Sequence, residues 1–261
     1  MPDRSLIFIR ETSYMILDKS IKYMFRVIFL SGFLVSGPAM VYADEGIGNF
    51  SANVGYFSEY RFRGLDQSGE AAAIQGGFDW APDSGFYLGS WASNVEFNEA
   101  TSASEFDLYA GYTKELKSGL SVDLSLIEYL YPGATESLNY DYWELALGIG
   151  KRIGDVSVAT AINWSDQFFG GSGNATYFQG KIDYELPLGL MLSGHVGKQW
   201  IEDNSTYGSP DYVDYSIGAS YAWQGFDVSV TYVDTDIDDT WNSTTQVGKD
   251  DTAVLAISRS F

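Results

Sequence analysis

Acidic and basic side chains recur at alternate positions along this chain, and that spacing decides what chemistry they could do. Glu59, Arg61, Asp79, Asp107, Asp123, Glu144, Lys181, Asp183 and Asp214 all fall on the polar parity of short alternating segments. Successive side chains of a β-strand point to opposite faces, so these residues would line one side of a wall. Glu96, Glu185 and Asp227 share that side, with Arg152 near a segment end. If the wall closes around a lumen, the acidic excess should gather cations and repel anions. Tyr109, Tyr129, Tyr140, Tyr142 and Tyr177 fall on the same parity and would narrow it. The competing expectation is a filled interior, in which these groups hydrogen-bond across the barrel and nothing passes. Glu59-x-Arg61 and Arg63-Gly64, followed by Gln67 and Ser68, open the first long polar connection. They would form either an inward constriction or a structural ion pair.

Other chemistries are poorly supplied. With 15 Lys+Arg against 35 Asp+Glu, the formal charge of −20 argues against a nucleic-acid partner, which requires a basic footprint. There is no Cys and one His, so thiolate chemistry and His- or Cys-rich metal centres are excluded. His195 and Ser193 share a strand face and could suggest a lipid hydrolase, but both would point into the lumen, away from acyl chains. Asp234-Thr235-Asp236-Ile237-Asp238-Asp239 has the spacing of a calcium loop without its sixth-position glycine or twelfth-position Glu. The sequence therefore predicts no catalytic residue, no metal and no cofactor.

The elements that carry these residues are strands. Twelve segments alternate with period two, and none holds a convincing helical period. The first places Phe50, Ala52, Val54, Tyr56, Ser58, Tyr60 and Phe62 on one apolar face; the third places Tyr87, Gly89, Trp91 and Val95 there. Short turns fall at Pro82–Gly85, Lys117–Gly119, Ile153–Asp155, Pro187–Gly189 and Gln224–Gly225. Longer polar loops fall at Gly64–Glu70, Asn98–Ser104, Pro132–Asn139, Gln167–Asn174, Asp203–Pro210 and Thr235–Asp250. Short turns at one end and long loops at the other are the pattern of an outer-membrane barrel. Aromatics flank the apolar faces: Trp80, Tyr87, Trp223, Phe226 and Phe261 near the turns, and Tyr60, Phe62, Phe97, Phe106, Trp143, Trp164, Phe178, Trp200 and Tyr232 near the loops. Two such belts suit a wall that faces lipid. A secreted β-sandwich would instead bury that face.

The expected architecture is an all-β, transmembrane, antiparallel up-and-down barrel of about twelve strands spanning 44–261, with both termini periplasmic. Residues 1–43 read as a bacterial signal peptide. Lys19, Lys22 and Arg26 precede the apolar run Val27–Val35, and cleavage is expected after Ala43. Residues 1–14 fit no part of a signal, so the expected start of translation is Met15 or Met24. The expected surroundings are outer-membrane lipid and lipopolysaccharide, with the assembly machinery reading the last strand through Phe261.

Several motifs resemble those of the TorF-type porins, a family of small bacterial outer-membrane proteins. They are Ser58-Glu59-Tyr60-Arg61-Phe62-Arg63-Gly64 with Gln67-Ser68, Gly85–Val95, Tyr129–Gly133, Tyr140–Leu145, Gly194–Gly197, Tyr232–Asp236 and Ile257–Phe261. The resemblance spans the mature chain and implies a barrel with a transport role, without supplying a solute. Two functions follow as expectations: a narrow, cation-preferring channel for small solutes, or a non-conducting structural or adhesive barrel acting through its loops.

Overall fold

The computed structural model describes residues 48–97, 102–238 and 248–261; the expected signal segment lies outside them. Twelve strands close into one antiparallel barrel: β1 (Asn49–Phe57), β4 (Ala73–Ala81), β5 (Phe86–Asn94), β6 (Ser104–Glu115), β7 (Leu120–Leu130), β8 (Tyr142–Ile153), β9 (Val156–Ser165), β10 (Ala175–Glu185), β11 (Leu190–Ile201), β12 (Tyr212–Trp223), β13 (Phe226–Thr235) and β14 (Thr252–Ser260). Two further short strands, β2 (Arg61–Phe62) and β3 (Leu65–Asp66), pair only with each other.

Each barrel strand pairs with its neighbour in sequence, and β1 closes the ring on β14 with Asn53 opposite Ser260 and Tyr56 opposite Ile257. Ala52 and Phe261 exchange backbone hydrogen bonds of 3.1 and 2.8 Å, so both ends of the barrel chain lie on the short-turn rim. Closure leaves none of the twelve barrel strands with a free edge, as a wall standing in hydrocarbon requires. The tightest turn, Gln224-Gly225, has φ of 51° and 82°. Positive φ at both central residues is the two-residue hairpin geometry that matches strand twist.

The outward face is apolar across its middle, with charged side chains such as Glu128, Lys114 and Lys151 only near the rims. Ile74, Phe78, Leu124, Leu126, Leu145, Leu147, Ile182, Val196, Ile217 and Leu255 are all exposed. An apolar surface of that extent would not stand in water and marks a lipid-facing wall. Phe106, Trp164, Phe178, Trp200 and Tyr232 project from it toward the loop end, and Trp223 and Phe261 toward the turns, as the sequence predicts.

Two parts of the predicted face are wrong. In β5, Tyr87 is buried inside the barrel, Trp91 packs against the interior cluster, and Val95 beyond the strand is buried as well. Phe86 and Leu88 face outward instead. Both parities of β5 carry aromatics, so alternation could not choose. The choice is made by interlock across the sheet, where a Cβ on Gly111 would meet the Tyr87 ring at 2.3 Å and one on Gly89 the Tyr109 ring at 2.3 Å. Each tyrosine lies flat on a neighbouring strand's glycine. The second error is larger: β1 ends at Phe57, and Tyr60 and Phe62 turn inward rather than continuing the wall. Phe97 also leaves the predicted outer belt, meeting Tyr131, Tyr140 and Phe169 at the loop end.

Candidate functional site

The first long connection folds into the barrel as a hairpin and crosses its mouth. β2 and β3 pair as Arg61 with Asp66 and Phe62 with Leu65, joined by the two-residue turn Arg63-Gly64. Both turn residues have positive φ, 49° and 84°. Glycine tolerates that region freely, whereas an arginine there is strained by about 1–3 kcal/mol. The strain persists because the surroundings fix the loop. A Cβ on Gly64 would meet Thr235 Cγ2 at 2.5 Å and Asp214 Cβ at 2.8 Å, so the backbone touches β12 and β13 directly.

From this hairpin, side chains reach the opposite walls. The Tyr60 ring lies edge-on to Trp91 of β5, and its hydroxyl contacts Glu105 Oε1 of β6 at 3.4 Å. Phe62 meets Tyr129 of β7 edge-on. Arg63 Nη2 donates to Glu144 Oε2 of β8 at 2.6 Å, and its Nη1 to Gln199 Oε1 of β11 at 2.9 Å. Its guanidinium also lies over the rings of Tyr177, Phe62 and Phe168, at 4.2, 4.7 and 5.8 Å. The Tyr129 hydroxyl and Asn163 Nδ2 donate to the same Glu144 oxygen at 3.3 and 3.1 Å. Arg63 and Glu144 are 4% and 1% exposed.

The hairpin is tied at its base as well. Arg61 pairs with Glu59 and donates to the carbonyls of Gly64 and Gly248. Burial pushes the Glu59 carboxyl up, and the Arg61 guanidinium opposes that rise. Asp66 accepts from the Ser68 and Glu70 backbones at 2.9 and 2.7 Å, while Ser68 Oγ accepts from Tyr60 N at 2.9 Å. Gln67 joins the hairpin to the β5 end, its carbonyl accepting from Glu96 N at 2.8 Å. Above lies an aromatic lid. Tyr140 stacks on Phe169 with centroids 4.3 Å apart, and Tyr207 of the short helix α1 (Asn204–Tyr207) packs on Phe168.

Toward the turns the interior opens. Ser157, Lys181, Asp183, Ser193, Ser220, Ser229 and Ser258 face inward and are half-buried. Tyr87 donates to Asp123 at 2.9 Å and Tyr109 to Asp79 at 2.6 Å, holding both rings against the wall. Lys181 pairs with Asp183 at 3.2 Å, and Arg152 with Glu185 nearer the rim.

Residues 43–261 match the family described as "Bacterial protein of unknown function (Gcw_chp)". The chain belongs to that family. Among curated proteins none matches. Among solved structures the barrel is similar to the KdgM porin, with a TM-score of 0.56 and 12% identity over 81% of this chain and 99% of that one. The same porin in complex with disordered oligogalacturonate gives the same values. It is also similar to the NanC porin, with a TM-score of 0.53 and 8% identity over 80% and 97% of the two chains. At these identities the likeness establishes a porin-like barrel fold.

All nine charged positions predicted for the lumen face inward: Glu59, Arg61, Asp79, Asp107, Asp123, Glu144, Lys181, Asp183 and Asp214. They do not form one site. Asp107 lies beside Glu105 and Glu144, but Asp123 is six residues further down β7 from Tyr129, the partner of Asp107. That separation is about 20 Å at strand rise, so Asp107, Asp123 and Glu144 are not the single acidic patch their order suggests. Ser193 donates to Asp183 at 2.7 Å, while His195 contacts the Tyr177 hydroxyl at 3.2 Å and Asp214 at 3.4 Å. The Ser–His pair considered from sequence is thus divided between two different carboxylates. Of the calcium-like loop, Asp236 caps Val213 N at 2.6 Å, and Asp239 falls outside the described residues. No three candidate metal ligands meet among the described residues.

Sequence reasoning missed Gln199, Asn163, Phe168 and Glu105. The usable signal for the hairpin was Phe62-Arg63-Gly64-Leu65, apolar residues flanking a turn pair with glycine second. Its arginine is an unusual turn residue, and that is the sign that the side chain matters.

Proposed function

We propose that the chain is a narrow outer-membrane channel for small solutes, preferring cations, with the Arg61–Asp66 hairpin as the constriction at its loop-end mouth. The observation that carries this reading is an acid-rich, half-open interior inside an apolar closed wall. Carboxylates in a narrow lumen are screened less than surface ones, so their excess biases which ions enter. The KdgM porin is solved with oligogalacturonate, a polyanion. An interior lined by Asp79, Asp123, Asp183 and Asp214 is of the opposite character. Export through the 1–43 signal, periplasmic termini, assembly through the strand ending at Phe261, and a lipopolysaccharide contact at the loop rim complete the proposal. A relation to the TorF-type porins belongs with it.

A second reading is favoured by the sealed loop end: a non-conducting barrel that acts through its loops. Planar-bilayer recording of the refolded protein separates the two. The channel reading expects discrete conductance and a reversal potential favouring potassium over chloride. Asp123→Asn with Asp183→Asn should weaken that preference while leaving the hairpin intact. Glu144→Gln is unsuited to this purpose because it strands the Arg63 charge. Chloride preference would overturn the selectivity argument. Silence from both the wild type and a variant lacking Arg61–Asp66 would establish the non-conducting barrel.

A further inference from the structure

The Arg63 guanidinium sits in a seat built almost wholly by other elements. The barrel wall supplies the Glu144 carboxylate, the Gln199 amide and the Tyr177 ring face, and the β9–β10 connection supplies Phe168. A carboxylate, an amide oxygen and aromatic faces around a planar cation are the chemistry of guanidinium recognition. Two features say that Arg63 fills this seat imperfectly. A guanidinium offers five N–H donors, yet Arg63 Nε has no partner, nor has the buried acceptor Asn163 Oδ1 beside Glu144. The tether also reaches the seat from a backbone held at φ 49°. Turn chemistry alone would place Gly, Asn or Asp at that position.

We propose that this seat is a binding site for small guanidinium solutes, which Arg63 occupies as a tethered stand-in. The hairpin thereby closes the mouth with a group that mimics the solute. A free guanidinium can turn to meet Glu144, Gln199 and Asn163 together, and in displacing Arg63 it releases the hairpin from the wall. As an account of what the channel carries, this rests on the channel reading above. The site itself is tested without conductance.

Arg63→Gly empties the seat while supplying the residue that the turn prefers. The full chain is refolded in detergent, and its thermal midpoint is followed with ethylguanidinium or with neutral N-ethylurea as probe. Ethylguanidinium should raise the variant's midpoint saturably, by about 3–6 °C at ten times its dissociation constant. Wild type should not respond at these concentrations, because its seat is filled. N-ethylurea should do nothing, and Arg63→Gly/Glu144→Gln should lose the response. If Arg63→Gly refolds only poorly, ethylguanidinium during refolding should restore the yield. An unchanged midpoint or yield, or an equal effect of N-ethylurea, would overturn the proposal and leave Arg63 as a structural anchor. Rescue in a protein that never conducts would uphold the site and sink the channel reading alone.

Discussion

The two ends of this barrel use the same side-chain vocabulary in opposite ways. At the loop end Arg63 and Glu144 are sealed among aromatic rings, and Glu144 Oε2 accepts from Arg63, Tyr129 and Asn163 at once. At the turn end Arg152 pairs with Glu185 in partial contact with solvent, at side-chain exposures of 27% and 40%. Both are guanidinium–carboxylate pairs. The difference teaches that burial, and not residue type, decides which pair holds structure and which merely decorates a lumen. The dense packing is confined to one level of the barrel, where the hairpin crosses, and the half toward the turns keeps a half-buried polar interior.

Removing one partner at each end should show this most sharply. Arg63→Gly leaves the Glu144 carboxylate buried without its cation, a loss of about 3–5 kcal/mol, offset in part by relief of the positive-φ strain of about 1–3 kcal/mol. Arg152→Ala should cost no more than about 1 kcal/mol, because water screens the carboxylate left behind. Urea unfolding of the two variants in the same lipid checks the contrast. Equal losses would mean that the loop end is more hydrated than its packing shows.

Within the open half, the glycine-backed tyrosines should come next in effect. Gly111→Ala places a methyl where the Tyr87 ring lies, so the ring must swing off the wall and break its bond to Asp123. Overpacking of this kind costs about 1–3 kcal/mol. If this half conducts, the displaced ring should also lower single-channel conductance. Gly119→Ala meets nothing within 4 Å and supplies the contrast in packing, although its φ of 74° adds strain of its own. Unchanged stability in Gly111→Ala would show that the Tyr87 ring moves freely.

How much of this was legible in the sequence follows the same division. Ten of the twelve outward faces could be read from parity, because a wall facing lipid on one side and a polar lumen on the other enforces alternation residue by residue. The short turns were legible from their Gly and Pro residues. The inward charges were legible too, since Asp107 or Glu144 could not face hydrocarbon. What parity cannot show is where a strand stops being wall. Tyr60 and Phe62 keep the parity of Val54 and Tyr56, and only the hairpin turn two residues on distinguishes a plug from a longer strand. Nor can it show depth. Asp107 and Asp123 are equally inward, and their separation along the barrel depends on register, which is fixed by pairing partners far apart in the chain.

The smallest expected effect tests whether the lid over the hairpin holds itself or rests on the plug below. Asp203 precedes α1, and its side chain accepts from the Ser205 and Thr206 backbones at 3.1 and 3.0 Å. The Ser205 and Thr206 hydroxyls donate to it as well, at 2.6 and 2.7 Å. These bonds favour the charged form and lower its pKa from an ordinary 3.8 to about 2. A depressed carboxylate contributes stability that is fully present above its unfolded value and lost as pH falls through its folded one. The helix should therefore loosen between pH 4 and pH 2, and Tyr207 should part from Phe168 over that interval. The NMR contact between those two rings is the readout. Asp203→Asn keeps a capping oxygen without the titration, so its contact should stay flat with pH, whereas Asp203→Ala should be weakened throughout. If Asp203→Asn titrates like wild type, the group responsible is its neighbour Glu202, whose carboxylate is lowered by Asn174. If the contact survives in Asp203→Ala, the lid is held from beneath by the hairpin and its seat.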